Sequence, residues 1–116
     1  MIIRKLDDIE LTAVQLDGVQ GVQKQLVLGS ADGVPNFSFR VFTVEPGGHS
    51  PLHTHDVEHL NYVIAGQGAL MDADGNANPL GPGDFAFVQS QDVHQFRNTS
   101  PDQPFVFICA VPREYE

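Results

Sequence analysis

Residues 37–44 read Phe-Ser-Phe-Arg-Val-Phe-Thr-Val, and this stretch decides the class of fold. Apolar and polar side chains alternate through much of it, and Pro35 and the run Pro46-Gly47-Gly48 bound it. Alternation with a period of two, rich in aromatic and β-branched residues and flanked by turn formers, predicts a half-buried β-strand.

Similar short runs recur along the rest of the chain, separated by many of its 11 glycines and 8 prolines. They cover residues 60–65, 69–71, 85–88, 94–98 and 105–111. Short strands at this spacing are typical of antiparallel sandwiches and barrels, so we predict an all-β antiparallel fold. In the last run the residues at both odd and even positions are apolar, so the side chains on both faces of the strand are apolar. This predicts that both of its faces are covered.

Three turn signals separate these runs. Gly66-Gln67-Gly68 predicts a hairpin between residues 60–65 and 69–71, and Asp74-Gly75-Asn76 predicts a tight turn. In Gly81-Pro82-Gly83-Asp84, Pro at the second position and Gly at the third predict a type II turn. Residues 6–14 offer the one short helix candidate.

Composition narrows the classes of function. The chain has 116 residues, a formal net charge of −9 and 41% hydrophobic residues, which fits one domain over residues 1–116. Six scattered Lys and Arg residues argue against nucleic acid and anionic membrane surfaces as partners. No apolar run approaches a membrane span. One cysteine, Cys109, and a first segment without signal-peptide character favour a cytoplasmic location.

Four of the five histidines crowd between residues 49 and 59. His53, His55 and His59 share one parity, so on extended chain they point to the same side, where neighbouring imidazoles can converge on one ion. His94 lies on a later predicted strand that a folded sheet would bring opposite them. We therefore predict a metal site made by His53, His55, His59 and His94.

These spacings resemble the two sequence motifs of the cupin family. Gly47, His53, His55, His59 and Gly66 stand at the positions of the first motif, with His59 in the place of the usual glutamate. Gly83, His94 and Asn98 match the second motif, while Gln89 and Gln91 replace its Pro and Gly. The site that the resemblance implies thus has four histidines instead of three histidines and one glutamate.

Other residues near the motifs have alternative interpretations. Glu58 has the opposite parity from His53 and would reach the site only through a bulge, so we interpret it as a surface carboxylate. His49, which precedes Ser50-Pro51, is predicted to lie in a loop outside the site. Cys109 is predicted to pack in the core, although the last strand of such barrels can reach the cavity. Arg40 and Arg97 are interpreted as solvated or paired, with orientation of an anionic substrate as the alternative.

The resemblance is to small single-domain bacterial cupins, and in particular to a subgroup with four histidines that binds manganese. It implies a conical β-barrel or jelly roll over residues 35–112, with one divalent transition metal inside its wider end. Manganese is the expected metal, although imidazoles also accept Fe, Co, Ni, Cu and Zn. The resemblance also implies a homodimer to which residues 1–34 contribute.

The function expected from this resemblance is a metal-dependent, Mn or Fe, oxygenase-type enzyme acting on a small organic molecule. The alternatives are a non-oxidative isomerase or lyase, a non-catalytic module that binds a small molecule or metal, and a closed zinc site that only stabilises the fold.

Overall fold

The structure is a computed structural model that describes all residues, 1–116, and it consists almost entirely of β-strands. The nine strands are β1 (Thr12–Ala13), β2 (Gln20–Leu28), β3 (Phe37–His49), β4 (His59–Ala65), β5 (Gly68–Met71), β6 (Ala77–Leu80), β7 (Phe85–Val88), β8 (Gln95–Asn98) and β9 (Phe105–Pro112). The helical elements are three 3-10 turns, Leu6–Asp8, Ser30–Asp32 and Arg113–Tyr115. No helix is therefore long enough to cross a membrane.

The strands form one curled antiparallel sheet, as the all-β prediction expected. Its order is β6-β5-β8-β3-β9-β4-β7, and β2 pairs with the free side of β3 and with β1. β3 is the central strand of the sheet; it runs for 13 residues and pairs with β2, β9 and β8. Its last residue, His49, pairs with Gln20 and with Arg97, so the strand extends past Pro46 and the prediction of a loop at His49 is wrong.

The predicted hairpin across Gly66-Gln67-Gly68 is also wrong. β4 pairs with β7 and β9, whereas β5 pairs with β6 and β8, so the chain passes at this point from one half of the sheet to the other. Gly66 has φ of +80°, and a Cβ built on it would lie 2.1 Å from the carbonyl oxygen of Pro104. Both the backbone angle and the close approach require glycine at this corner.

The other local predictions have mixed outcomes. The type II turn is confirmed, since Gly83 has φ of +92° and the Asp84 N–H donates to the Gly81 carbonyl at 3.0 Å. The short helix candidate is wrong, because residues 6–14 form one 3-10 turn and β1. The pairing of β1 with β2 outweighs the helix propensity of so short a segment.

The core lies on the concave side of the curled sheet. Along β9, Phe105, Phe107, Cys109 and Val111 are buried, while the residues between them are half-buried. Phe105 is 0% exposed, and the Phe107 ring stacks on Phe96 with centroids 4.3 Å apart. The prediction that both faces of this strand are covered holds for the inner face, whereas the outer face remains partly open. The histidines lie at one end of this apolar interior.

Candidate metal centre

Three of the predicted histidines meet where the loop before β4 passes the start of β8. His53 and His94 form an isolated antiparallel bridge, in which each backbone N–H donates to the other's carbonyl at 3.1 and 3.0 Å. One ring nitrogen from each of His53, His55 and His94 lies within 4.8 Å of the others. This three-histidine cluster is compatible with a divalent metal site.

Backbone hydrogen bonds fix the tautomers of two of these rings. The Nδ1–H of His55 donates to the Val57 carbonyl at 2.7 Å, and the Nδ1–H of His94 donates to the Asp92 carbonyl at 2.9 Å. Since a carbonyl only accepts, each Nδ1 carries the proton and each neutral ring presents a bare lone pair at Nε2.

Those two lone pairs face each other. The Nε2 atoms of His55 and His94 are 3.2 Å apart, which is unfavourable for two acceptors with nothing between them. Two nitrogens that bind one ion at about 2.0–2.1 Å stand roughly 2.8–3.0 Å apart at neighbouring octahedral positions and roughly 3.3–3.4 Å apart in tetrahedral geometry. The residues therefore fit a divalent cation on both chemistry and spacing.

Burial keeps the imidazoles in the form that binds metal. It lowers the pKa of His53, with smaller contributions from His94 and His55, and it lowers the pKa of His94 against the opposing hydrogen bond from Asp92. A lowered pKa means that the neutral ring persists to lower pH, so protons compete less with a metal ion.

His59 lies beside the cluster, on the far side of the His55 ring. The two rings stack with centroids 3.9 Å apart and 12° between their planes. Burial, followed by the positive potential of His55 and Arg40, lowers the pKa of His59 to about 3. Its Nδ1 is 3.5 Å from the Cys109 sulfur, and its buried Nε2 has no hydrogen-bond partner.

A cavity of about 180 Å³ opens from the histidines into the barrel interior. Its walls are mainly apolar and no Asp or Glu side chain lines it. The polar residues that line it are Lys24, Arg40, Ser50, His53, His59, His94, Cys109 and Tyr115. A bound molecule would thus meet His53, His59 and His94 on the wall of a partly open, mainly apolar space.

Comparison with known proteins identifies the family. The sequence profile of the Cupin domain family, Cupin_2, matches residues 40–111. The chain belongs to the cupin family. This cupin is 33% identical over 110 residues to 1-methylthio-D-xylulose 5-phosphate methylsulfurylase of Rhodospirillum rubrum, a match that covers 91% of this chain and 67% of the relative.

Two solved cupin structures are also similar. The polyketide cyclase RemF from Streptomyces resistomycificus superposes with a TM-score of 0.91 and 28% identity, covering 97% of this chain and 79% of that one. A sugar phosphate isomerase of the cupin superfamily from Silicibacter pomeroyi superposes with a TM-score of 0.81 and 27% identity, covering 97% and 76%. These relatives agree with the cupin fold and family of the chain, and their reactions differ from one another.

The neighbouring residues separate into those inside the cupin cavity and those outside it. Glu58 is exposed, as its parity predicted. His49 is half-buried outside the cluster, where its Nδ1 approaches the Ser50 carbonyl and the Gln95 amide. Arg97 is exposed and donates to the Gln95 side chain. Asn98 donates from its amide to the Val44 and Gln103 carbonyls, so it holds β8 in place and does not face the metal centre.

Arg40 was assigned elsewhere and Tyr115 escaped the sequence analysis, whereas Cys109 lies in the core as predicted and also lines the cavity. Arg40 is buried rather than solvated or ion-paired, and its Nη2 donates to the Cys109 sulfur at 3.2 Å. Burial raises the pKa of that thiol, against the opposing influence of Arg40. The Tyr115 ring lies 5.1 Å from the His55 ring and 5.6 Å from the Arg40 guanidinium carbon. The parity of Arg40 with buried Val44 would have placed it inside, whereas nothing in the sequence indicates where Tyr115 lies.

Proposed function

We propose that this cupin is a metal-dependent enzyme that acts on a small organic molecule by Lewis-acid chemistry. The observation that carries this proposal is the pair of bare Nε2 atoms of His55 and His94, 3.2 Å apart, beside a mainly apolar cavity that His94 lines together with His53 and His59. A structural role alone would not require the ligands to open onto a cavity, because structural zinc sites are closed.

His53, His55 and His94 would hold the ion, and we propose His59 as the fourth ligand. Support for His59 comes from its buried and unpartnered Nε2 and from its position against the His55 ring. Four neutral imidazoles leave the full positive charge of a divalent ion uncompensated, so the ion supplies strong polarisation of a carbonyl or enolic oxygen. Manganese, expected from the resemblance to the four-histidine cupins, remains the metal that we propose.

The chain's own residues restrict which reactions suit the site. The apolar walls exclude water, which strengthens electrostatic interactions inside the cavity. The Val57 and Asp92 carbonyls hold two imidazoles in fixed orientations. No carboxylate lines the cavity to act as a general base. An isomerisation, elimination or cyclisation at this site would therefore have to transfer its proton to a group of the substrate itself, once one of the substrate's oxygens is polarised.

The relatives support a non-oxidative reaction. The similar proteins of at least 27% identity include a methylsulfurylase, a cyclase and a sugar phosphate isomerase, and none of these three is described as an oxygenase. For this chain, a reaction of the same broad kind is the proposal, and the identity of its substrate is a separate question.

An oxygenase-type reaction is the second candidate, because His53 and His94 also line the cavity and a redox-active ion held by the cluster would be accessible to dioxygen from there. The two candidates differ in their need for oxygen and for a redox-active metal. We expect protein loaded with zinc or manganese to turn over enolisable sugar phosphates or keto acids under argon. Turnover that requires air and fails with zinc would instead establish the oxygenase, and no turnover under either condition across a broad panel would contradict both.

We also propose that the protein is a homodimer, formed through the outer face of the sheet. Phe37, Phe39, Leu60, Phe85 and Phe87 are exposed there and form a shallow apolar groove in which no residue carries a charge. Contiguous exposed apolar surface of this kind marks an interaction site. A second copy fits best, because two chains of net charge −9 can approach where neither presents charge.

Light scattering should therefore give about twice the 12.7 kDa chain mass. Phe85→Glu should yield a monomer, because Phe85 is 79% exposed within the proposed contact and a buried unpaired charge is costly. The resemblance instead implies that residues 1–34 contribute to the dimer interface. Ile3→Glu is the matched variant for that alternative, because Ile3 is 86% exposed and lies outside the groove. Dissociation by Ile3→Glu alone would move the interface to residues 1–34.

A further inference from the structure

Arg40 is a buried cation without an anion. It is 6% exposed, and its guanidinium makes one hydrogen bond, to the Cys109 sulfur, while its buried Nε–H has no partner. The ion pairs of the chain are Arg4 with Asp32 and Arg113 with Glu114, so no carboxylate lies within 4.0 Å of Arg40. Buried charges are normally paired, because an isolated charge in an apolar interior costs several kcal/mol.

The surroundings of Arg40 do not compensate its charge. The second cationic side chain of the cavity, Lys24, donates to a main-chain oxygen of Glu116. Burial, followed by the positive charge of Arg40, lowers the pKa of Lys24, against the opposing negative charge of Glu116. The rings of Phe42 and Tyr115 lie 4.9 and 5.6 Å from the guanidinium carbon and offer only their faces. The cavity is thus lined by two cationic side chains and by no carboxylate, inside an acidic protein.

Arg40 also faces the same space as the metal-binding histidines. On β3 it shares the inward parity of Ser38 and Val44, and across the sheet it pairs with Cys109 on β9. Cys109 contacts both Arg40 and His59, and the Tyr115 ring contacts both Arg40 and His55. A molecule bound between these groups would reach the guanidinium at one end and the imidazoles at the other.

We propose that Arg40 binds the oxyanion of the substrate, and that the substrate is a small organic carboxylate or phosphate ester. This inference rests on the proposed function and names its substrate class. An arginine fork matches the oxygens of either group with two parallel hydrogen bonds, which explains the unused donors. The cavity of about 180 Å³ limits the rest of the molecule, since an engineered apolar cavity of about 150 Å³ holds one benzene.

The test measures binding of anions to metal-free protein, so that it does not depend on the metal centre or on turnover. Calorimetric titrations would use benzoate and phenyl phosphate, with benzamide and benzyl alcohol as neutral counterparts. We expect an anion to bind and its neutral counterpart to bind at least about tenfold more weakly, the range for a hydrogen bond to a charged group. Whichever anion binds more tightly identifies a carboxylate or a phosphate as the recognised group.

Arg40→Met should weaken anion binding by about 10- to 100-fold, and Arg40→Lys should recover part of it. Arg97→Met is the matched control, because it removes the same charge from an exposed position outside the cavity, and it should leave binding unchanged. Arg40→Met should also raise the melting temperature of the ligand-free protein, since replacing an unpaired buried charge by an apolar side chain removes its desolvation cost.

Three results would overturn the assignment: equal binding of benzoate and benzamide, unchanged anion binding in Arg40→Met, or anion binding that appears only after metal is added. A lower melting temperature in both Arg40→Met and Arg40→Lys, with wild-type protein indifferent to anions, would make Arg40 a structural residue. The metal content of the wild-type protein keeps the two proposals apart. Wild-type protein that binds metal normally but binds no anion contradicts this inference alone, whereas wild-type protein that binds no metal contradicts the proposed function.

Discussion

Replacing His94 with alanine is expected to abolish stoichiometric metal binding. His94 supplies one of the two Nε2 atoms that face each other at 3.2 Å, and its loss leaves no partner across the site from His55. Loss of an outer hydrogen-bond partner of a ligand typically costs about 10–100-fold in metal affinity, and loss of a ligand itself should cost more. Elemental analysis after gel filtration should show wild-type protein with about one ion per chain and the variant with almost none.

His49→Ala is the matched control, because it removes an imidazole from the same stretch but from outside the cluster. It should keep the wild-type metal content, and equal loss in both variants would indicate a general effect on folding. His59→Ala tests the fourth ligand separately. Weakened metal binding would support four histidines, whereas unchanged affinity would leave His59 as a packing partner of His55 and Cys109. Full metal retention in His94→Ala contradicts the site.

Gly66→Ala is expected to destabilise the fold strongly. The new Cβ would lie 2.1 Å from the Pro104 carbonyl oxygen and 2.9 Å from the Cα of Phe105, so the backbone of one segment must move. Positive φ costs an alanine about 1–2 kcal/mol, and overpacking adds about 1–3 kcal/mol. Together these are a large part of the roughly 5–15 kcal/mol that stabilises a typical domain. Urea unfolding of metal-free protein measures the loss.

Gly75→Ala separates the two contributions. Gly75 has φ of +81°, almost the same as the +80° of Gly66, but its Cβ would meet nothing within 4 Å. It should therefore lose only the backbone component, about 1–2 kcal/mol. If Gly66→Ala and Gly75→Ala lose equal stability, the close approach of Gly66 to Pro104 contributes nothing to the loss. That result would contradict the described packing at the β4–β5 corner.

The three-histidine cluster could be predicted from the sequence to the extent that it depends on local chain geometry. His53, His55 and the later His94 were assigned from parity and motif spacing, and the structure brings their nitrogens together. Parity also separated exposed Glu58 from buried His59. These inferences succeed because side chains alternate strictly along extended chain, so the sequence alone states which residues share a side.

The rest depends on which strands become neighbours, and local pattern does not determine this. Gly66-Gln67-Gly68 satisfies the local requirements of a hairpin, yet the strands on its two sides pair with different partners. Arg40 shares the parity of buried Val44, but its contact with Cys109 arises only because β9 pairs with β3. Tyr115 joins the cavity because residues 113–115 turn back over it after β9, which no spacing in the sequence predicts.

The order of the strands has a consequence for the kinetics of folding. The central strand β3 pairs with β9, so that Phe37 lies opposite Pro112. His53 and His94, which form a bridge, are likewise far apart in the sequence. Contacts between residues so distant in sequence require closure of large loops, which makes folding slow. The ligands are consequently unassembled for most of the folding reaction, and a metal ion that needs all of them binds after the barrel has closed. Metal should then act on this protein by slowing its unfolding, with little effect on the rate at which it folds.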